Sequence, residues 1–107
     1  MNVVTNDNIR CTIALAALEQ VMDPEIGLNI VDLGLIYQVD FDEAAKKIYL
    51  TMTLTTAFCP MGEAITSAAR RVLENTFSGM ETILELSFEP PWSSERISEE
   101  GKTFLNI

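Results

Sequence analysis

Two stretches near the middle of the chain alternate apolar and polar residues with a period of two, and this pattern constrains the fold most. The apolar positions of the first stretch are Leu35, Tyr37, Val39 and Phe41. Those of the second stretch are Ile48, Leu50, Met52 and Leu54. Alternation of this kind indicates strands that bury one face. The segment 42–46 between them therefore predicts the turn of a hairpin.

The opposite face of the second strand is predicted to stay free of helices. Its residues are Tyr49, Thr51, Thr53 and Thr55. This face is polar enough to meet water or a partner protein, and antiparallel sheets commonly pack only one face on the core. We therefore expect helices on one side of the sheet, which makes two layers.

Residues at helical spacing precede and follow this hairpin. The first helix is predicted over Asn8–Met22, and Pro24 ends it because the residue before a proline avoids the helical region. Its buried stripe is formed by Cys11, Ala14, Leu15, Leu18 and Met22. The second helix is predicted over Pro60–Phe77. Its buried stripe is formed by Met61, Ala64, Ile65, Ala68 and Val72.

A third strand and a last short helix complete the predicted order. The strand alternates over Met80–Phe88 and ends at Pro90-Pro91, because prolines cannot donate to a ladder. The segment Ser94–Leu105 predicts a short helix with Ile97, Phe104 and Leu105 facing inward. We expect one domain over residues 1–107 of the α+β class, a two-layer α/β sandwich of order α-β-β-α-β with a short C-terminal helix.

The chain contains no histidine, which excludes many kinds of catalytic and metal site. Ser-His and Cys-His catalysis, histidine-containing zinc sites and haem with a proximal histidine each lose a required group. The two cysteines, Cys11 and Cys59, cannot by themselves supply the four ligands of a structural zinc or an iron-sulfur cluster. Any cluster bound here needs ligands from outside the chain.

The formal net charge of −9 makes some partners improbable. A charge of this sign repels phosphate backbones and anionic lipid surfaces, so we expect neither nucleic acid nor membrane partners. No apolar run approaches the length of a bilayer span, and the N-terminus lacks a basic segment followed by an apolar one. We expect a cytoplasmic protein.

The predicted topology brings three unusual segments to one edge of the sheet. In the hairpin, the first strand starts beside the end of the second, so the loop with Asp23, Glu25 and Asp32 arrives where Cys59 lies. A right-handed helical crossover leaves the second and third strands parallel, which brings Pro90-Pro91-Trp92 to the same edge. Open sheets tend to place function at such edges, beyond the carboxyl ends of strands.

The dipeptide Cys59-Pro60 is the strongest chemical signal. Proline favours the first position of a helix, so Cys59 is expected at the N-cap, near free backbone N–H groups. That position favours a thiolate that acts as nucleophile or metal ligand, and the hydroxyls of Thr55 and Thr56 can hydrogen-bond what it holds. The carboxylates of the first loop oppose the effect, because nearby negative charge raises a thiol pKa.

Each candidate residue also has a structural interpretation. Cysteines are among the most buried residue types, so Cys59 fits the core, and Cys11 fits it better because it lies on an apolar stripe. Asp23 precedes a proline and fits a turn. Trp92 fits a plug at the edge of the core as well as a partner contact.

Three motifs in register resemble the MIP18 family domain, formerly called DUF59, over nearly the whole chain. They are DPEIGLNIVDLGLIYQV (23–39), MTLTTAFCP (52–60) and FEPPWSSERISEEGKTFL (88–105). The family includes SufT-type iron-sulfur maturation factors, the eukaryotic MIP18 protein and the PaaD-like proteins of phenylacetate degradation. The resemblance implies an iron-sulfur-cluster-assembly-like fold and a role in loading clusters onto recipient proteins, and we expect no enzymatic activity.

The resemblance also assigns site residues. Its acidic site matches Asp23 and Glu25, its threonine pair matches Thr55 and Thr56, and its reactive cysteine matches Cys59. Phe58 stands where family members often have a small residue, so it fits a shield for the sulfur or a partner contact. Because the cysteine-rich C-terminal extension of PaaD-type members is missing here, we expect a general maturation factor.

Two hypotheses of function follow from these residues. In the first, Cys59 is a transient ligand or docking thiol during cluster transfer, while Asp23 and Glu25 organise the rim or briefly contact iron. A transient iron-sulfur cluster is then the cargo, no stable cofactor is expected, and the cluster is shared within a homodimer or with a scaffold, carrier or apo-acceptor protein. In the second, the protein is an adaptor that never binds metal and uses Phe58, Trp92 and the threonine-rich sheet face as anchors.

A thiol enzyme is the weakest alternative. The chain has no histidine to act as a base, and Cys11 is predicted to be buried, so neither hydrolysis nor a redox cycle with a resolving thiol has its second group.

Overall fold

The computed structural model describes residues 3–56 and 61–107, which form a four-stranded sheet, a small two-stranded ladder and three α-helices. In chain order the elements are β1 (Val4–Thr5), α1 (Asn8–Leu18), β2 (Met22–Asp23), β3 (Leu28–Asn29), β4 (Ile36–Asp42), β5 (Lys47–Met52), α2 (Gly62–Thr76), β6 (Glu81–Leu86), a 3-10 turn (Ser94–Arg96) and α3 (Glu99–Leu105).

The sheet has the order β1-β4-β5-β6 and confirms the predicted hairpin and crossover. Strands β4 and β5 pair antiparallel, and β5 and β6 pair parallel on either side of the crossover helix α2. Two features were not predicted: β1, which pairs parallel with β4, and the antiparallel ladder of β2 with β3. Both consist of strands of two residues, too short to show a period.

One face of the sheet packs against the helices. The buried side chains of its central strand are Ile48, Leu50 and Met52, in the predicted alternation. On the other face, Tyr49 of β5 is in register with Ile83 of β6, and both are exposed. Thr53 was predicted on this open face and is instead fully buried. Its N–H donates to the Leu35 carbonyl, so the loop before β4 lies against the chain just after β5.

Tyr37 is wrongly predicted as a core residue. The register of β4 shifts between Ile36 and Gln38, so Ile36 takes the buried position and Tyr37 is left without a partner in the ladder. Such a bulge places one extra residue in a strand and reverses the alternation locally. The Tyr37 hydroxyl donates to the Pro90 carbonyl (2.7 Å), and the Arg96 guanidinium lies 4.3 Å from the centre of its ring.

Helix α1 ends four residues earlier than predicted. The N–H of Gln20 and of Val21 donate three residues back, which tightens the last turn and closes the helix. Met22 then enters β2 and is 51% exposed, outside the predicted stripe.

The buried stripe of α2 is rotated from the prediction. Its buried residues are Gly62, Ile65, Ala69 and Leu73, while Met61 and Ala64 are exposed. Gly62 determines this orientation, because a Cβ at that position would lie 2.7 Å from Leu54 Cδ1. A glycine that faces the core adds no hydrophobic signal to the pattern, and the predicted start, Pro60, lies outside the described residues.

The C-terminal helix also differs from its prediction. Ser98 caps α3 by accepting the N–H of Gly101, so the predicted single helix is divided into the 3-10 turn and α3. Ile97 and Gly101 face inward and Leu105 is half-buried. These positions are spaced by four residues, which leaves Phe104 outside their face and 67% exposed.

Two glycines with positive φ provide a matched test of how closely the C-terminal segment packs. Gly27 (φ +81°) has no atom within 4 Å of an added Cβ, whereas at Gly34 (φ +78°) that Cβ would lie 2.4 Å from the Arg96 carbonyl oxygen. We predict that Gly27→Ala destabilises the fold by about 1 kcal/mol through φ alone. Gly34→Ala should cost about 1–3 kcal/mol more, because backbone atoms must also move.

Urea unfolding followed by the fluorescence of Trp92, the single tryptophan, measures both variants. Equal losses of stability in the two variants would contradict the close contact between Gly34 and Arg96.

Candidate functional site

The start of β4 and the ends of β5 and β6 lie together at one edge of the sheet, here called the rim. Ile36 is in register with Met52, and Met52 is in register with Leu86. This agrees with the predicted arrangement of the three strands, while the predicted place of Cys59 at this edge lies outside the described residues. Thr55 (half-buried) and Thr56 (exposed) come three and four residues after Met52, the last residue of β5.

Cys59 and Phe58 belong to residues 57–60 and lie outside the described residues. Their neighbours along the chain are described on both sides, Thr56 after β5 and Met61 at the N-cap of α2. The described helix starts at Gly62 with Met61 as its N-cap, so the prediction that Cys59 caps this helix is wrong by two residues.

Asp23 is only 2% exposed, and it shapes the turn between β2 and β3. Its Oδ1 accepts the N–H of Glu25 (2.9 Å), and its carbonyl accepts the N–H of Gly27 (2.7 Å). This is an Asx turn, in which the side chain takes the place of a backbone acceptor. The prediction that Asp23 forms a turn is therefore confirmed. Glu25 is exposed at the tip of the same turn.

The segment around Asp23 lies beside α2. Met22 and Pro24 line one side of a groove whose other side includes Ala64 and Ile65. The same groove continues along α2 as far as Asn75, so this part of the loop lies along the helix that follows residues 57–60.

The C-terminal segment crosses the loop before β4 and fixes Trp92 and Asp32. The indole Nε1–H of Trp92 donates to the Leu33 carbonyl (2.6 Å), and its half-buried ring packs on the core. Asp32, the third carboxylate of the predicted loop, accepts the Ser98 hydroxyl at Oδ1 (2.9 Å) and the Asn29 amide at Oδ2 (2.7 Å). Trp92 therefore fills the edge of the core, and Asp32 connects the C-terminal segment to the loop before β4 by hydrogen bonding.

Three further residues organise this region and were not predicted from the sequence: Asn29, Arg96 and Ser98. Arg96 donates from Nε to the Gly34 carbonyl (3.0 Å), and the N–H of Ser98 donates to the Asp32 carbonyl (2.8 Å). One signal was present: Ser98 is followed by two glutamates, which is typical of a helix N-cap and first turn. Asn29 bonds residues two to four positions along its own loop, whereas the contact of Arg96 joins segments 62 residues apart and left no local signal.

Cys11 lies in the core, as predicted, and is 5% exposed. Burial raises the pKa of its thiol, the carboxylates of Asp40 and Asp7 raise it further, and a hydrogen bond with Thr5 opposes them. The thiol of Cys11 is therefore neutral at physiological pH and shielded from reagents.

Residues 3–56 and 61–107 contain no group of three or more cysteine, aspartate or glutamate residues placed to hold a metal ion. Within these ranges, too, no helix is both long and apolar enough to cross a membrane.

Comparison with known proteins establishes the family. Residues 13–84 match the family described as "Iron-sulfur cluster assembly protein". The chain belongs to this family. The match confirms the resemblance inferred from the three motifs.

Relatives of this iron-sulfur cluster assembly family protein are similar over most of their length. The chain is 39% identical to the Fe-S protein maturation auxiliary factor YitW of Bacillus subtilis, over 87% of this chain and 90% of the relative. It is 36% identical to the Fe-S protein maturation auxiliary factor SufT of Staphylococcus aureus, over 81% of this chain and 98% of the relative. These names describe an auxiliary role in maturation rather than a catalysed reaction.

The fold of this family member agrees with a solved structure. A DUF59 domain from Bacillus anthracis superimposes with a TM-score of 0.83 at 40% sequence identity, and the match covers 90% of this chain and 91% of that domain. The predicted α+β class is confirmed.

The burial of Cys11 predicts a difference in reactivity that thiol labelling can measure. In Cys59→Ser, Cys11 is the single thiol, and we expect negligible labelling by an aromatic disulfide reagent at pH 8 in the native protein. One equivalent should react after unfolding in guanidinium chloride. Fast labelling of the native variant would show that Cys11 is accessible.

Proposed function

We propose that this protein is an auxiliary maturation factor that assists the delivery of iron-sulfur clusters to recipient proteins, with Cys59 as a transient ligand or docking thiol. The supporting observation is that the chain segment with Cys59 joins the rim to α2, while the other thiol of the chain, Cys11, is buried in the core. The relatives named as maturation auxiliary factors support the same role.

The ligand count favours a transient cluster over a resident one. The chain has two cysteines, and Cys11 is buried in the core, so Cys59 alone cannot supply the cysteine ligands of a cluster. A cluster held through Cys59 then takes further ligands from a second protein, which is a scaffold, a carrier, an apo-acceptor or a second copy of this chain. A shared ligand set leaves the cluster exchangeable, as delivery requires.

Asp23 and Glu25 have the supporting role in this proposal. The turn that Asp23 holds carries the exposed Glu25, and its neighbours Met22 and Pro24 line a groove with α2. Thr55 and Thr56 lie between β5 and residues 57–60 along the chain. Carboxylate and hydroxyl oxygens at these positions orient the bound cluster or the docking surface of the recipient.

Anaerobic reconstitution with iron and sulfide tests the role of Cys59. Cys59→Ser should lower cluster transfer to an apo-acceptor by about tenfold or more, because it replaces a thiolate ligand. Cys11→Ala is the matched control, since it removes the buried thiol and should transfer like the wild type. Visible absorption of the cluster and activity of the acceptor measure the transfer.

Equal iron content and equal transfer in Cys59→Ser and the wild type would reject the ligand role. An adaptor that never binds metal would then be favoured if Cys59→Ser also keeps its partners in a pull-down. The exposed side chains of Leu86 and Phe88, next to the rim, are a structural feature that suits such an adaptor.

Two substitutions at Asp23 separate its structural role from its charge. Asp23→Asn keeps an oxygen that accepts the Glu25 N–H, so we expect nearly unchanged stability but slower cluster transfer. Asp23→Ala removes this acceptor and should cost about 1 kcal/mol of stability. Urea unfolding and the transfer assay measure the two effects, and transfer by Asp23→Asn at the wild-type rate would assign Asp23 to the turn alone.

A further inference from the structure

Strand β6 is the last strand of the sheet, and its outer edge has hydrogen-bonding groups directed away from β5. The Glu81 N–H donates to the Lys46 carbonyl on the β5 side (2.9 Å), and bonding alternates along a strand with a parallel neighbour. Every second residue therefore directs its peptide groups to the outer edge. These residues are Thr82, Leu84 and Leu86.

Glu74 of α2 occupies only the beginning of this edge. Its Oε2 accepts the N–H of Thr82 (2.9 Å), which confirms the outward direction of that group. Among residues 3–56 and 61–107, no group bonds the outward peptide groups of Leu84 and Leu86. An edge with free N–H and C=O groups is a template for another strand.

The side chains on the open face of β6 have a symmetrical pattern. Glu81 and Glu85 are exposed and flank Ile83, which is 38% exposed. An added strand places its alternate residues directly beside these three side chains. Lysine or arginine beside each glutamate and an apolar residue beside Ile83 would complement this face in either strand direction.

A second copy of the chain does not fit this edge. In the antiparallel pairing of two β6 strands centred on Ile83, Glu81 lies opposite the partner's Glu85, and like charges directly opposite are destabilising. In the pairing centred on Leu84, Glu85 lies opposite the partner's Ile83, so its charge has no opposite charge beside it. Each copy also has a net charge of −9. The edge therefore fits a strand of opposite charge.

We propose that β6 binds an extended segment of a partner protein by strand addition. The segment has two basic residues four positions apart with an apolar residue midway between them, and it becomes the fifth strand of the sheet. This proposal is independent of the role of Cys59. It places the bound segment beside the rim, because Leu86 is in register with Met52 at the end of β5.

A designed peptide provides the direct test with the whole protein. The probe is an acetylated, amidated peptide with the core lysine-threonine-isoleucine-threonine-lysine, titrated into 15N-labelled protein and followed by NMR. We expect the largest shifts at the amides of Leu84 and Leu86, with slowed hydrogen exchange there. The same peptide N-methylated on the residues whose N–H groups face β6 should bind about tenfold more weakly.

Charge reversal supplies the matched control. The double variant Glu81→Lys, Glu85→Lys changes exposed side chains only and should lose affinity for the lysine peptide while gaining affinity for its glutamate counterpart. Equal binding of the methylated and unmethylated peptides would overturn strand addition. Absence of binding at millimolar peptide, or shifts confined to residues away from β6, would overturn the site.

Discussion

The position of β5 between an antiparallel neighbour and a parallel one determines the rest of the structure. The short turn after β4 requires the antiparallel pair, and the crossover through α2 produces the parallel pair. Together they bring the start of β4 and the ends of β5 and β6 to one edge. The core is built on the same strand, since Ile48, Leu50 and Met52 are almost completely buried. The pairing of β5 therefore determines both the packing of the core and the position of the rim.

Sequence periodicity predicted the elements whose pattern is local. Strands β4, β5 and β6 and helices α1 and α2 were identified because each repeats its buried positions over several residues. Periodicity failed where a distant contact decides the outcome. The bulge at Tyr37 is held by the C-terminal segment through Pro90 and Arg96, and the rotation of α2 depends on the approach of Gly62 to Leu54.

The candidate site was predictable in its chemistry and less so in its geometry. The convergence of the rim follows from topology, so the neighbourhood of Thr55 was inferred without coordinates. The turn formed by Asp23 was the structural alternative for that residue, and the structure shows the hydrogen bond that makes it. The contact of Asp32 with Ser98 joins residues 66 positions apart in sequence, and no local pattern predicts such a pairing.

The two outer strands of the sheet differ greatly in length, which bears on stoichiometry. Strand β1 has two residues and β6 has six. A ligand that extends the sheet beyond β6 leaves only the short β1 on the far side, and a ladder of two residues is too small to recruit a further chain. This sheet is thus expected to be extended on the β6 side alone, so a second chain does not join it across β1.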